Sequence, residues 1–131
     1  MKDSPAVAIA LAHIDAWTHH DWDKTRELLA ADVHAIVAST QAQFGVSGSE
    51  FTGVDNYMER KIKGAQLIEP GSVEVLSTIG DLTGAVVTIT FRIRLGSGGT
   101  MVTMARACAY AIDDNQKIKE ERDVFFVLSQ A

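Results

Sequence analysis

The fold is decided by the stretch VTITFRIRLGSGG, residues 87–99. Apolar and polar residues alternate over its first nine positions, a period of two that is typical of a strand with one buried face. The Gly/Ser-rich end predicts a hairpin turn, after which Thr100–Ile112 forms the next strand. A turn with an even number of residues pairs Ile89 with Arg106 and Val87 with Cys108. Because cross-strand partners share a face, we expect Arg106 to point inward among apolar residues.

The last hairpin leaves two registers open. A three-residue turn after Ile112 pairs apolar residues with apolar ones, and it places Glu120 beside Tyr110 and Arg122 beside Cys108. A two-residue turn would instead place Asp123 beside Arg106. We expect the first register, although a slip of one residue would reverse every inward and outward assignment.

The segments before the meander predict helices and one strand. Ser4 followed by proline marks a helix start, and Asp21 caps a second helix that ends at 30–32. A strand follows at 33–39, then a loop or frayed hairpin at 40–50, and a Thr52–Asp55 capping box opens a third helix through about residue 63. This order predicts one α+β domain over residues 1–131, with three helices packed on an antiparallel sheet.

Composition excludes several classes of protein. The 131 residues carry a net charge of −5 without a basic cluster, which argues against nucleic-acid binding. No apolar run approaches the ~20 residues that a membrane span needs, and no signal peptide is recognisable. The single cysteine permits no internal disulfide, and no Cys/His spacing is typical of zinc. We expect a cytoplasmic protein that contacts neither nucleic acid nor membrane and uses no metal or cofactor.

Four segments carry a family resemblance: WTHHDW at 17–22, LLAADV at 28–33, TGVDNYM at 52–58 and IDDNQKIKEERDVFF at 112–126. Together they resemble the SnoaL-like branch of the nuclear-transport-factor-two-like superfamily. The resemblance implies a cystatin-like cone, in which a strongly curved antiparallel sheet wraps three helices around an apolar cavity for a small hydrophobic molecule. It also implies a homodimer, which agrees with a small Thr/Ala-rich outer sheet face.

Two residues are candidates for catalysis. Alignment with ketosteroid isomerases places His13 at their oxyanion-hole tyrosine, so His13 either transfers a proton or is a hydrogen-bonded histidine at the core boundary. An inward Arg106 either stabilises a developing oxyanion or forms a salt bridge with Glu120 or Asp123.

Six further residues are predicted to shape the cavity and bind substrate. Two of them have a simpler interpretation: Tyr57 can be an ordinary core residue, and Cys108 can be a small, buried apolar residue. The six are Trp17, Tyr57, Cys108, Tyr110, Glu120 and Arg122.

The catalytic acids of the best-known relatives do not transfer to this chain. The ketosteroid isomerase base falls near Val37 and the second acid of that family near Ala109, and neither can carry a proton. Limonene epoxide hydrolases use an Arg and an Asp two residues apart, plus an Asp on the last strand, but here Cys108 follows Arg106 at that spacing.

Two functions remain open. One is a cofactor-independent isomerase, dehydratase or cyclase of a small hydrophobic carbonyl compound. The other is a non-catalytic small-molecule-binding or dimerisation module. An open, polar cavity would favour the enzyme, whereas a closed, dry interior with Arg106 locked to a carboxylate would favour the module.

Overall fold

The computed structural model describes residues 4–39, 49–95 and 99–130. Along the chain the elements are α1 (Pro5–Thr18), α2 (Trp22–Glu27), β1 (Leu29–Ser39), β2 (Ser49–Thr52), α3 (Val54–Ala65), β3 (Glu74–Gly80), β4 (Gly84–Leu95), β5 (Thr100–Ile112) and β6 (Ile118–Gln130). The three helices and the six-stranded sheet confirm the α+β class. No helix in the described part of the chain is both long enough and apolar enough to cross a membrane.

The sheet has the strand order β2-β1-β6-β5-β4-β3. Every neighbouring pair is antiparallel except β1 with β6, which are parallel. The sheet is therefore mixed. The predicted four-strand meander, β3 to β6, is antiparallel throughout, and β1 joins its last strand in parallel. The physical reason is connectivity: the chain leaves β1 through β2 and α3, and the meander then returns its last strand alongside β1 in the same direction.

The helix caps of α1 and α2 are as predicted, whereas the cap of α3 differs from the prediction. The Ser4 and Asp21 side chains accept from backbone N–H groups at the starts of α1 and α2, as predicted. The Thr52–Asp55 capping box does not form, because Thr52 pairs with His34 in the sheet. Gly53 is the N-cap instead, with a φ of 101°, a left-handed turn that glycine adopts without steric cost. The second helix also ends earlier than predicted, since Leu29 already belongs to β1.

The hydrophobic core lies between α1, α3 and the inner face of the sheet. Its helical members lie at helical spacing along α1, and its strand members at every second position of β4 and β5. They include Ala6, Ala10, Ile14, Trp17, Val87, Ile89, Phe91, Val102 and Met104. The helices thus cover the face of the sheet on which the inward strand residues converge.

The two hairpins of the meander differ in how well their registers were predicted. β4 and β5 pair as expected, with Ile89 opposite Arg106 and Val87 opposite Cys108. Residues 96–98 of the predicted Gly96–Gly99 turn lie outside the described residues. Most of the predicted loop at 40–50 also lies outside them. The last two residues of that loop belong to β2, which pairs antiparallel with β1.

The β5–β6 hairpin begins in the preferred register and then shifts. Ile112 pairs with Ile118 as predicted, but the next pair is Ala111 with Glu120, so Lys119 is an extra residue. This bulge reverses the faces of the strand. The predicted placement of Glu120 beside Tyr110 and of Arg122 beside Cys108 was therefore wrong. Glu121 and Asp123 occupy those positions.

Candidate active site

A cavity of about 230 Å³ lies on the inner face of the sheet, bounded by α1, α3, β1, β2, β4, β5 and β6. Its walls are mostly apolar, and its mouth includes the solvent-exposed Ser49, Arg60 and Gly64, so the cavity reaches the surface. The lining residues are Trp17, Ala35, Val37, Ser49, Phe51, Tyr57, Arg60, Lys61, Gly64, Ala65, Ile68, Ile93, Arg106, Asp123 and Phe125. An apolar cavity with a few converging polar groups is typical of small-molecule sites.

The polar centre of the cavity is an ion pair. Arg106 Nη2 donates to Asp123 Oδ2 at 2.6 Å, and the two side chains are 16% and 2% exposed. Burial disfavours the charged guanidinium, but Asp123, Cys108 and Glu121 together outweigh it and raise the pKa of Arg106. The remaining N–H groups of Arg106 are free to meet another acceptor, and Nε has no partner among the described residues.

A second carboxylate lies directly behind this pair. The Tyr57 hydroxyl donates to Glu121 Oε1, and Lys61 Nζ lies 3.9 Å from Glu121 Oε2. Within the described residues, Glu121 Oε2 and Asp123 Oδ1 both lack a conventional donor. A single proton shared between the two carboxyl groups satisfies both oxygens.

The pKa values of the two carboxyl groups, Asp123 and Glu121, shift in opposite directions. Burial, together with the charge of Glu121 and a hydrogen bond to it, raises the pKa of Asp123 to about 7 against the opposing effect of Arg106. Burial also acts to raise the pKa of Glu121. The charges of Lys61 and Arg106 and the hydrogen bonds from Asp123 and Tyr57 together outweigh burial and hold that pKa below its ordinary value. Near neutral pH, Asp123 thus gains and loses a proton while Glu121 stays ionised.

A hydrogen-bonded chain extends from Glu121 into the core. His13 Nε2 lies 2.9 Å from the Tyr57 oxygen, and His13 Nδ1 lies 3.1 Å from the Tyr110 oxygen. Because Tyr57 gives its proton to Glu121, it must accept from His13 Nε2–H, which leaves Nδ1 to accept from Tyr110. Burial lowers the pKa of His13, in agreement with this neutral tautomer.

The sequence-predicted residues divide into three groups. Trp17, Tyr57 and Arg106 line the cavity. His13, Cys108 and Tyr110 are buried behind its wall and are absent from its lining, so His13 reaches the cavity only through Tyr57.

The third group lies on the opposite face of the sheet. Glu120 Oε2 is 3.2 Å from Arg122 Nη2 and 3.3 Å from His34 Nδ1, and the Arg122 side chain is 60% exposed. The prediction that Glu120 and Arg122 face the cavity was wrong, because the bulge at Lys119 turns them outward.

Sequence reasoning missed Lys61 and Glu121, and it offered Asp123 only in the register that was not preferred. Lys61 could have been found, since it lies four residues after Tyr57 and therefore on the same side of α3. Glu121 could not, because its facing depends on the bulge. Cys108, Glu121 and Asp123 bring ligand atoms within 4.8 Å of one another, but Arg106 and Lys61 already supply the positive charge that a metal ion would bring.

Residues 10–121 match the SnoaL-like domain. The chain belongs to this family. No curated protein matches it. Solved structures similar in fold include an LEH-like epoxide hydrolase and a protein with a ketosteroid isomerase-like fold.

Three solved structures illustrate the likeness in fold. A nuclear-transport-factor-two-like protein from Burkholderia xenovorans superposes with a TM-score of 0.73 at 13% identity, over 92% of this chain and 88% of that one. An LEH-like epoxide hydrolase from Mycobacterium tuberculosis gives 0.67 at 17% identity, over 92% and 82%. A protein with a ketosteroid isomerase-like fold from Catenulispora acidiphila gives 0.66 at 17% identity, over 88% and 82%. At these identities the likeness establishes the fold, and the chemistry must be argued from the cavity.

Proposed function

We propose that this SnoaL-like protein is a cofactor-independent acid–base enzyme that isomerises, dehydrates or cyclises a small hydrophobic carbonyl compound. The observation that carries the proposal is the Arg106–Asp123 pair, placed on the wall of an apolar cavity that reaches the surface. Burying a charged pair costs desolvation free energy, and a polar ligand that hydrogen-bonds to the pair offsets that cost.

The two members of the pair have complementary roles. Asp123 transfers a proton to or from a carbon or oxygen of the bound compound. Arg106 keeps donors that Asp123 does not use, and it binds the carbonyl oxygen as negative charge develops there. The apolar wall, including Val37 and Phe125, holds the hydrocarbon part and limits access of water.

His13 acts as a positioning residue in this proposal, not as the group that meets the substrate. It orients Tyr57, and Tyr57 together with Lys61 favours the ionised form of Glu121. An ionised Glu121 beside Asp123 keeps the Asp123 proton available near neutral pH.

The pH profile separates the candidate reactions. An isomerisation that starts with proton abstraction needs ionised Asp123, so its rate rises as the pH passes about 7. A dehydration that starts with protonation of the leaving oxygen needs the neutral acid, so its rate falls over the same range.

The proposal is tested by screening unsaturated ketones and hydroxy ketones for turnover and then measuring Asp123→Asn. We expect kcat to fall by about 100- to 10,000-fold, the usual contribution of a general acid or base. Glu120→Gln is the matched control, because Glu120 lies three residues away on the outer face. Turnover of Asp123→Asn at the original rate would contradict the proposal.

A non-catalytic binding module is the second candidate. It is favoured by the pairing of Arg106 with Asp123 and by the apolar residues near Val37 and Ala109, where relatives hold acids. The open cavity argues for the enzyme. Tight binding of a carbonyl compound that is recovered unchanged after prolonged incubation would decide for the module.

We also propose that the chain forms a homodimer through its outer sheet face. Alternate residues of β5 present small side chains there, including Ala107 and Ala109, and exposed Val86 and Val124 flank them. A face of small and exposed apolar side chains can pack against the same face of a second copy. Elution at the mass of a single chain at micromolar concentration would refute this proposal.

A further inference from the structure

Lys61 is a buried cation whose donors find no acceptor in the described part of the chain. Its side chain is 9% exposed, and the nearest carboxylate oxygen, Glu121 Oε2, is 3.9 Å away, beyond hydrogen-bond distance. The ammonium nitrogen lies 4.5 Å from the centre of the Trp17 ring, a cation–π contact that offsets only part of its lost hydration. Burial and the nearby Arg106 lower the pKa of Lys61, as expected for an ammonium group that is short of partners.

Cations outnumber acids among the described residues that line the cavity around Lys61. Three cations, Arg60, Lys61 and Arg106, line it, and Asp123 is the single acid among its described lining residues. Asp123 is already engaged by Arg106. Glu121 lies behind the wall, 3.9 Å from Lys61 Nζ, so Lys61 has a buried counter-charge but no hydrogen-bond acceptor among the described residues.

We propose that Lys61 is a ligand-binding residue that holds a carboxylate group of the substrate. The substrate class is then small apolar carboxylic acids in their anionic form, with the reacting carbonyl group at Arg106. This inference rests on the proposed function for the reacting end of the molecule, whereas the carboxylate site at Lys61 stands on its own contacts. The sequence analysis assigned no role to Lys61 and no carboxylate to the substrate.

A singly charged carboxylate fits this site better than a phosphate. Apolar Ala65 and Ile68 lie on the same wall, and the other cation that is not paired with a carboxylate of the wall, Arg60, is at the exposed mouth. A dianion at Lys61 would leave one charge without a buried partner, which is costly. The volume of about 230 Å³ also restricts the ligand to a small molecule.

The test compares matched acids and amides as binding probes. Hexanoate, cyclohexanecarboxylate and 3-phenylpropanoate, each with its primary amide, are titrated into the protein at pH 7.5 by calorimetry or NMR. We expect at least one acid to bind about tenfold or more tightly than its amide, because it gains a charge-assisted hydrogen bond.

Lys61→Met is expected to reduce that preference to within about threefold, because it removes the cation that contacts the carboxylate. The variant also removes the cation beside Glu121, so the acid-to-amide ratio is compared and not the absolute affinity. Lys63→Met, an exposed lysine on the same helix, is the matched control and keeps the preference. Thermal melting confirms that both variants are folded, and the acid–amide comparison in the unmodified protein needs no variant.

Three results would overturn the inference: no probe binds, no acid binds more tightly than its amide, or a folded Lys61→Met keeps the preference. The outcome is separable from the proposed function. If acids bind preferentially at Lys61 while Asp123→Asn retains full turnover, the carboxylate site stands and the catalytic assignment fails.

Discussion

Glu120 and Glu121 are neighbours in sequence and lie in opposite environments. Glu120 is on the outer face, where its half-exposed carboxylate contacts Arg122 and His34, and these hydrogen bonds lower its pKa. Glu121 is 1% exposed on the inner face, where Tyr57 and Lys61 surround it and Asp123 shares its environment. A glutamate side chain therefore belongs to a solvent-screened ion pair on the outer face and to a low-dielectric polar network on the inner face. The comparison teaches that facing, not residue type, decides which carboxylate can do chemistry.

The largest expected effect separates the two arginines of these clusters. Arg106→Leu leaves the buried Asp123 carboxylate without its cation, so we expect a loss of about 3–5 kcal/mol in the free energy of unfolding at pH 8. Arg122→Leu removes an exposed partner of Glu120 and should cost less than about 1 kcal/mol. Urea denaturation of both variants measures the difference. Equal losses would show that the two faces are electrostatically alike.

The next prediction concerns the pH dependence of stability. The folded chain raises the pKa of Asp123 from 3.8 to about 7, so the folded state holds a proton that the unfolded state has already lost. Asp123 therefore contributes stability that is fully present below about pH 4 and is lost as the pH rises through about 7. Asp123→Asn cannot titrate, and we expect its stability relative to the unmodified protein to increase by up to about 4 kcal/mol between pH 4 and pH 8.

Glu120→Gln is the control for this pH series. Because the pKa of Glu120 is lowered, its contribution has the opposite sign: it is present above the ordinary glutamate pKa and is lost as the pH falls through the lowered value. Denaturation midpoints at four or five pH values distinguish the variants. If the stability of Asp123→Asn relative to the unmodified protein instead fell as the pH rose, the assigned direction of the Asp123 pKa shift would be wrong.

A smaller effect should separate the two tyrosines that contact His13. Tyr57→Phe leaves His13 Nε2–H and Glu121 Oε1 both without their partner, so we expect a loss of about 3 kcal/mol. Tyr110→Phe removes a single contact, to His13 Nδ1, and should cost about 1 kcal/mol. Thermal or urea unfolding measures both, and a larger loss for Tyr110→Phe would contradict the assignment of two hydrogen bonds to Tyr57 and one to Tyr110.

The smallest effect is expected on the outer face. Hydrogen bonds to Glu50 and Glu120 raise the pKa of His34 above 6.5. Its contribution to stability is present below that pH, is lost as the pH rises through the raised value, and is weak because the cluster is exposed. An NMR titration of the imidazole proton signals measures this pKa directly. Glu120→Gln should move it back toward 6.5, and a His34 pKa that does not respond would remove Glu120 from the cluster.

The two hairpins show how far local patterns can be trusted. The β4–β5 register followed from the strict alternation of β4, because a turn of even length sets an apolar residue of β5 opposite each inner residue of β4 except at Ile89, which pairs with Arg106. The same reasoning preferred a wrong register beyond Ile112 in the last hairpin. There Asp113 accepts from backbone N–H groups of Asn115 and Lys117, Gln116 adopts a φ of 65°, and Lys119 is inserted as a bulge. An insertion of one residue leaves composition and approximate alternation unchanged, so sequence alone offers no signal for it.

The α+β class, the capped starts of α1 and α2 and the inward position of Arg106 were determined by sequence, because each depends on interactions between near neighbours or on a strict period. The identity of the carboxylates at the cavity was decided only by tertiary structure. Packing of β6 between β5 and a parallel β1 holds the bulge, and the bulge turns Glu121 and Asp123 toward Lys61 and Arg106. Burial of these four charges together then sets their pKa values, because desolvation and mutual attraction depend on distances that no local pattern records.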